Sequence, residues 1–323
     1  MKKAKIFSSA ALMMYLAVNC TVQENDVLKL WYEKPAAKWE EALPVGNGRL
    51  GAMIYGGTTE DHIQFNEETL WSGGPHDYSN EGASEHLGKI RELIWQGKQK
   101  EAEELALETF MSVPLRQQKY QPFGDLWLTF PGHENVSAYR RELNLSTAVC
   151  KTSYEAGGYT YSREYIASYP DNLIIINLTC SDKKALTFDI SLTALHEGFS
   201  VIPDKNGSLM LKVKVKDGEL HGTAAVKTVV KGGEISVSGN KLHIEKADEA
   251  MVLLSAATNF INPANVSGDP DAVCRKYLEA VQNKTYRQVN QKHIVDYQKY
   301  FNRFSINLGA SANEDLPTDI RID

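Results

Sequence analysis

The stretch from Ile63 to Tyr78 reads IQFNEETLWSGGPHDY. It gathers the residue types with which a protein holds a polyol. Gln64, Asn66 and Glu67 offer hydrogen-bond donors and acceptors, Trp71 offers a flat apolar face, and Gly73-Gly74-Pro75 makes a turn. Asn66, Glu67 and Trp71 are therefore candidate carbohydrate-binding residues. The alternative reading is structural: Asn66 and Glu67 satisfy backbone groups of a long loop while Trp71 fills the core. Glu67 and Glu68 also raise the question of bond cleavage. Glycoside hydrolysis needs two carboxyl groups facing each other at roughly 5 to 9 Å. Adjacent residues point to opposite faces of a strand and do not face each other on a helix, so these two cannot form such a pair with one another. One of them with a distant partner stays open.

Other chemistries fit less well. GNGRLG places Gly46, Gly48 and Gly51 at dinucleotide-fingerprint spacing, but Pro44 precedes it and the strand-like AMIYGG follows, whereas the fingerprint joins a strand to a helix. A tight turn explains these glycines. The eight histidines form neither HxH nor HExxH, and a surface loop accounts for the neighbours His76 and Asp77. There is no GxSxG. No cofactor and no metal is expected.

The elements that must position these residues follow from periodicity. Leu186, Phe188, Ile190 and Leu192 alternate with Thr187, Asp189, Ser191 and Thr193, and Leu209, Leu211, Val213 and Val215 alternate with Met210 and three lysines. This period of two, sustained from about Leu28 to Thr258, predicts half-buried strands. Asp217-Gly218, Gly232-Gly233 and Gly239-Asn240 are expected to make tight hairpins between them. Tyr159, Tyr161, Tyr165 and Tyr169 share one strand face, which suits packing against a second sheet or, alternatively, a sugar groove. Two stacked sheets bury this many strands where one layer would leave long exposed edges.

Helical spacing interrupts once. Leu87, Ile90 and Ile94 mark a first helix with Ser84 as N-cap and Gly97 as stop, and a second helix carries Glu101, Glu103 and Glu104 in its early turns. Near the C-terminus, Asp269 caps and Pro270 opens a helix striped by Val273, Tyr277 and Val281. A further stripe runs through Val289, Ile294, Tyr297 and Phe301. Such stripes need a partner, either the β domain or a following domain. If a following domain is what covers them, Tyr297 and Phe301 should be exposed and sticky.

Bulk properties narrow the partners. The 323 residues are ample for a large core, 42% are hydrophobic and 24% charged, and the net charge is -6. An acidic balance argues against nucleic acid and suits a neutral substrate. Lys2, Lys3 and Lys5 precede the apolar stretch IFSSAALMMYLAV, which fits a signal-peptide core rather than a membrane span. It ends at Cys20, in a context resembling a bacterial lipoprotein cleavage site, although Asn19 is not the usual small residue there. Residues 1–20 are thus expected to be a leader, and the protein an exported periplasmic or outer-membrane lipoprotein, touching membrane only through that anchor. Cys150, Cys180 and Cys274 give no disulfide framework, and Cys150 and Cys180 read as small buried hydrophobes.

Five ordered segments carry a resemblance: LWYEKPAAKWEEALPVGNGRLGAMIYGG, IQFNEETLWSGGP, KYQPFGDLWLTF, YRRELNLSTAV and YTYSREYIASYPDNLIIINL. Together they resemble the N-terminal domain of glycoside hydrolase family 95, which contains α-L-fucosidases and some α-L-galactosidases. The resemblance implies an antiparallel β super-sandwich, a helical linker, an (α/α)6 barrel and a C-terminal β domain. It also implies inversion, with the general-acid glutamate, the water-activating asparagines and their supporting aspartate all on the barrel. None of those motifs is found before Asp323, so no catalytic residue carries over to this chain.

The expected organisation is mainly β: a large two-layer antiparallel super-sandwich over 28–262 with a short helical insertion, then a helical linker over 263–323 on which the barrel would pack. The expected function is the N-terminal portion of an exported α-L-fucosidase-like inverting hydrolase acting on fucosylated or related glycans, inactive alone. The alternatives are a stand-alone surface carbohydrate-binding or scaffolding protein, and a non-functional remnant.

Overall fold

The computed structural model describes residues 28–204, 207–309 and 312–322. The expected leader and Cys20 lie outside them. The strands are β1 (Lys29–Tyr32), β2 (Leu43–Gly46), β3 (Leu50–Ile54), β4 (Glu60–Glu67), β5 (Gly124–Thr129), β6 (Val136–Asn144), β7 (Val149–Ala156), β8 (Tyr159–Ser168), β9 (Leu173–Cys180), β10 (Leu186–Thr193), β11 (Ser200–Asp204), β12 (Ser208–Lys214), β13 (His221–Lys231), β14 (Glu234–Ser238), β15 (Lys241–Ala247) and β16 (Glu249–Thr258). They form two antiparallel sheets. The larger runs β1-β6-β7-β8-β9-β16-β13-β12-β11, and the smaller runs β14-β15-β10-β5-β4-β3-β2. This is the mainly β, two-layer sandwich expected.

The core lies between the sheets. Inward residues of one sheet, such as Ile63, Phe65, Leu126, Phe188 and Ile190, meet Tyr154, Tyr165, Ile176, Val226 and Leu254 of the other. Tyr161 and Tyr165 are buried here, so the tyrosine face packs across the sandwich, while Tyr159 and Tyr169 at its ends are exposed. Within this core sits a polar knot. The Asp61 carboxylate accepts from the Gly56 and Gly57 amides at 2.8 and 3.1 Å, from the Tyr165 hydroxyl, and lies 3.1 Å from Arg163 Nη1. Arg163 donates its other terminal nitrogen to Gly57 O at 2.6 Å and stacks over Phe130.

The larger sheet is covered on its outer face as well. Helices α3 (Pro270–Val281) and α4 (Tyr286–Phe301) follow α1 (Ala83–Trp95) and α2 (Gln99–Thr109) in the chain, and α5 (Thr318–Ile322) ends it. Cys274, Leu278 and Val281 of α3 and Val289 of α4 pack on Ile166, Ile175, Met210, Met251 and Leu253. Each such apolar side chain contributes about 1.5–3 kcal/mol relative to exposure. Asp269 caps α3 through the Asp271 and Ala272 amides, with Pro270 in the first turn, as its sequence predicts. Thr285 and Gln288 close a capping box on α4. Asp171, at the β8–β9 turn, accepts from Ser168, Lys284 and Lys292 and so ties α4 to the sandwich. The β domain itself is therefore the partner that these helices need.

Four expectations change. Tyr297 and Phe301 are half-buried, stacked at 5.2 Å, with the Tyr297 hydroxyl donating to Leu145 O at 2.7 Å; the exposed side of the segment carries Val295, Tyr300 and Phe304 instead. In α1 the buried pair is Ile90 and Leu93, and Ile94 faces solvent, because packing on Ala102 of α2 selects a face one residue away. Gly82, not Ser84, precedes α1, without a side-chain cap. Gly232-Gly233 joins β13 of one sheet to β14 of the other, so it is a corner between layers rather than a hairpin.

Candidate functional site

β4 points Asp61, Ile63, Phe65 and Glu67 inward and His62, Gln64 and Asn66 outward. The parity that buries Ile63 and Phe65 thus also buries Glu67, and Glu68, one residue on, is exposed. Glu67 is 3% exposed. Its carboxylate accepts from the Thr69 amide at 2.9 Å and the Thr69 hydroxyl at 2.6 Å, and Arg49 Nη1 stands 3.5 Å away. Burial pushes its pKa up, against the lowering effect of the Thr69 bonds and of Arg49. Arg49 donates onward to Ala256 O at 2.8 Å and Asn172 O at 3.3 Å, and the Thr69 hydroxyl meets Thr258. Glu67 therefore fastens the end of the smaller sheet to β16 and the β8–β9 turn of the larger.

Asn66 accepts from the Phe123 amide at 2.9 Å, which fixes the return of the long β4–β5 excursion. These two residues do what the structural reading expected of them. Trp71 does not fill the core; the fully buried Leu70 does, and Trp71 is 41% exposed. Its indole N–H donates to Glu68 O at 2.9 Å, and its ring meets Tyr120 at 5.3 Å. The following turn is held on two sides. The Gly73 amide donates to Asp217 O at 2.5 Å, and the Glu219 amide donates to Gly73 O at 2.9 Å. Gly73 has φ +86, and a Cβ on its neighbour Gly218 would stand 2.1 Å from Gly73 O, so only glycine fits at either place.

Beyond Trp71 opens a groove of about 680 Å³, with Tyr78, Leu220, Phe260 and Pro263 as apolar walls and Glu68, Gln117 and Gln118 as polar rim. His76 lies on this rim, bonded to Val113 O at 2.8 Å and stacked edgewise on Tyr78. Glu68 also lines a second trough with Gln64, Asn66 and Tyr120, and a third hollow with Arg49, Tyr169 and Asn172. One end of the sandwich thus presents exposed aromatic faces around the exposed carboxylate of Glu68. Sequence reasoning passed over Glu68 in favour of Glu67. Counting by twos from Ile63 would have separated the buried carboxylate from the exposed one. Among the described residues no three His, Cys, Asp or Glu side chains cluster as metal ligands.

Known proteins align with this arrangement. A family model described as Glycosyl hydrolase family 65, N-terminal domain, matches residues 30–263. The chain is 37% identical over 321 residues to Alpha-L-fucosidase 2 of Arabidopsis thaliana, covering 89% of this chain and 37% of that protein. It is 28% identical to "Probable alpha-fucosidase A" of Aspergillus niger, covering 90% of this chain and 39% of that one. The protein of the same description from Aspergillus oryzae is 22% identical, over 86% of this chain and 41% of its own length. The chain spans about two fifths of the length of the curated relatives it matches. These relatives bear out the resemblance that the five sequence segments carry.

Proposed function

Because the chain belongs to the family of the glycosyl hydrolase family 65 N-terminal domain, we propose that it is the supporting N-terminal portion of an inverting α-L-fucosidase-type hydrolase. The observation that carries this is the 37% identity to a protein named for α-L-fucoside hydrolysis over almost the whole chain. Inversion needs a general acid on one side of the glycosidic bond and a group that activates water on the other. In this reading both are supplied by sequence matching the remainder of the relatives, and residues 28–323 alone are inactive. The sandwich contributes position. Glu67 and Arg49 hold the loop, Trp71 offers its exposed ring to the apolar face of a sugar, and Asn66 and Glu68 border the same end. α4, docked on the larger sheet, turns Val295 and Tyr300 outward. The charged start, the apolar stretch and Cys20 support export with a lipid anchor; incorporation of labelled palmitate, lost in Cys20→Ala, is the expected result.

The test is fucose release from 4-nitrophenyl α-L-fucoside. Purified residues 28–323 should release none. Exchanged for the matching segment of the Arabidopsis relative, they should support turnover, and Trp71→Ala in that chimera should raise KM about fivefold or more. Release at an enzymatic rate by the isolated chain, or a soluble, folded chimera without turnover, would refute the proposal.

A further inference from the structure

On the outer face of the smaller sheet, Gly46 of β2 and Gly51 of β3 are direct cross-strand partners, and Gly51 in turn pairs with Asn66 of β4. Neither glycine is needed by the fold. Neither has a positive φ, a Cβ on Gly46 would come no closer than 3.6 Å to Leu50 O, and one on Gly51 no closer than 3.8 Å to Val45 O. Alternation would place an ordinary side chain at both positions, and glycine inside a strand weakens it. What the pair provides is space: backbone laid bare as the floor of a trough of about 410 Å³.

Part of this trough's lining is unengaged. Trp39 is 53% exposed, with no ring or hydrogen-bond partner for its indole among the described residues. Tyr120 stands on the opposite side, and the side chains of Gln64 and Glu68, which reach into the same space, make no hydrogen bond or ion pair among the described residues. The nearby Arg49 guanidinium is committed to Glu67, Ala256 O and Asn172 O. The free groups are therefore the indole face of Trp39, an amide with donors and acceptors, and one carboxylate acceptor, beside a Tyr120 ring already held by Trp71 and Glu67 O. That set suits a flat, uncharged polyol with apolar C–H faces and donating hydroxyls, and it disfavours an anion.

We propose that the Trp39–Gly46–Gly51–Gln64–Glu68 trough is a binding subsite for a neutral saccharide unit, adjoining the Trp71 groove at Glu68 and carried by this chain alone. The glycine pair lets the ring lie against the sheet backbone, Trp39 covers its apolar face, and Gln64 and Glu68 receive its hydroxyls. This goes beyond the hydrolase reading, since binding here needs no catalytic segment and is measured without fucose release.

The experiment is calorimetry and saturation-transfer NMR on the purified chain with L-fucose, lactose and 2′-fucosyllactose at about 10 mM, the range in which weak sugar sites fill. The expected result is binding of at least one of them, weakened about tenfold or more by Gly51→Val and by Trp39→Ala. Gly51→Val should melt at the same temperature as the parent or higher, because a β-branched residue suits a strand and its Cβ has room. A clear drop in that melting temperature would show that the glycine serves the fold, and overturns the proposal. So would binding unchanged in Gly51→Val and Trp39→Ala, or no binding of any of the three sugars, which would leave the bare floor to a polypeptide segment instead.

Discussion

Asp171→Asn should loosen α4 from the sandwich at a cost of roughly 1–2 kcal/mol. The carboxylate is 1% exposed and accepts from Ser168 Oγ at 2.8 Å, Lys284 Nζ at 3.0 Å and Lys292 Nζ at 3.3 Å. A bond to a charged donor is worth about 1.5–3 kcal/mol when both groups are dry. The two lysines are 37% and 51% exposed, so water recovers much of the loss and each contributes well under that, about 0.5–1 kcal/mol. Asparagine keeps the shape and one acceptor, so no cavity adds to the sum. Burial raises the Asp171 pKa, but the hydrogen bonds from Ser168 and Lys284 and the two ammonium charges outweigh it, and the net value lies below the ordinary 3.8. A depressed acid contributes stability that is present above its unfolded value and is lost as pH falls through the folded one. The parent should therefore weaken below about pH 4 at this site, and the variant should lack that part of the slope. Urea unfolding at neutral and acid pH measures both, and hydrogen exchange should show α4 amides opening faster than those of α3. A loss below about 0.5 kcal/mol at neutral pH, or an unaltered acid slope, would refute the assignment of Asp171 as the tie.

Three further outcomes are expected. Asp61→Asn leaves Arg163 buried without a carboxylate and should cost about 3–5 kcal/mol in urea unfolding, far more than the exposed Glu68→Gln. Glu67 has a raised pKa through burial, so the stability it contributes is full below the ordinary 4.5 and falls as pH rises through the folded value. Glu67→Gln should flatten that fall while keeping the Thr69 contact. Gly124→Ala places a Cβ 2.8 Å from Thr193 O and 2.7 Å from Leu211 Cδ2, and should lower the melting temperature by several degrees, corresponding to about 1–3 kcal/mol of overpacking.

Much of the architecture was legible because it rests on short-range physics. The alternation in β10 announces one dry and one wet face, and its burial alternates accordingly. The Asp269-Pro270 pair marks the start of α3 through backbone amides two and three residues away. Where reasoning slipped, the deciding contact lay outside the local window. Ile94 and Leu93 are both apolar, and only the position of Ala102 on α2 says which is buried. Tyr297 has the same stripe phase whether it meets a following domain or Leu145, which is 152 residues away. The stretch from Ile63 to Tyr78 left two readings of Trp71 open, and only the fold shows that Trp71 faces out and Leu70 faces in.

From the sequence alone come the strand period, the Asp269-Pro270 start of α3, the acidic balance and the segments that tie this chain to its relatives, since each is set by residues a few positions apart. The tertiary structure decided which carboxylate is sealed and which is free, that Asp61 meets Arg163 across a hundred residues, and that two unstrained glycines lie side by side beneath an open tryptophan. Burial and pairing arise only where distant segments meet, and the free energy of a charge or an indole depends on what surrounds it there.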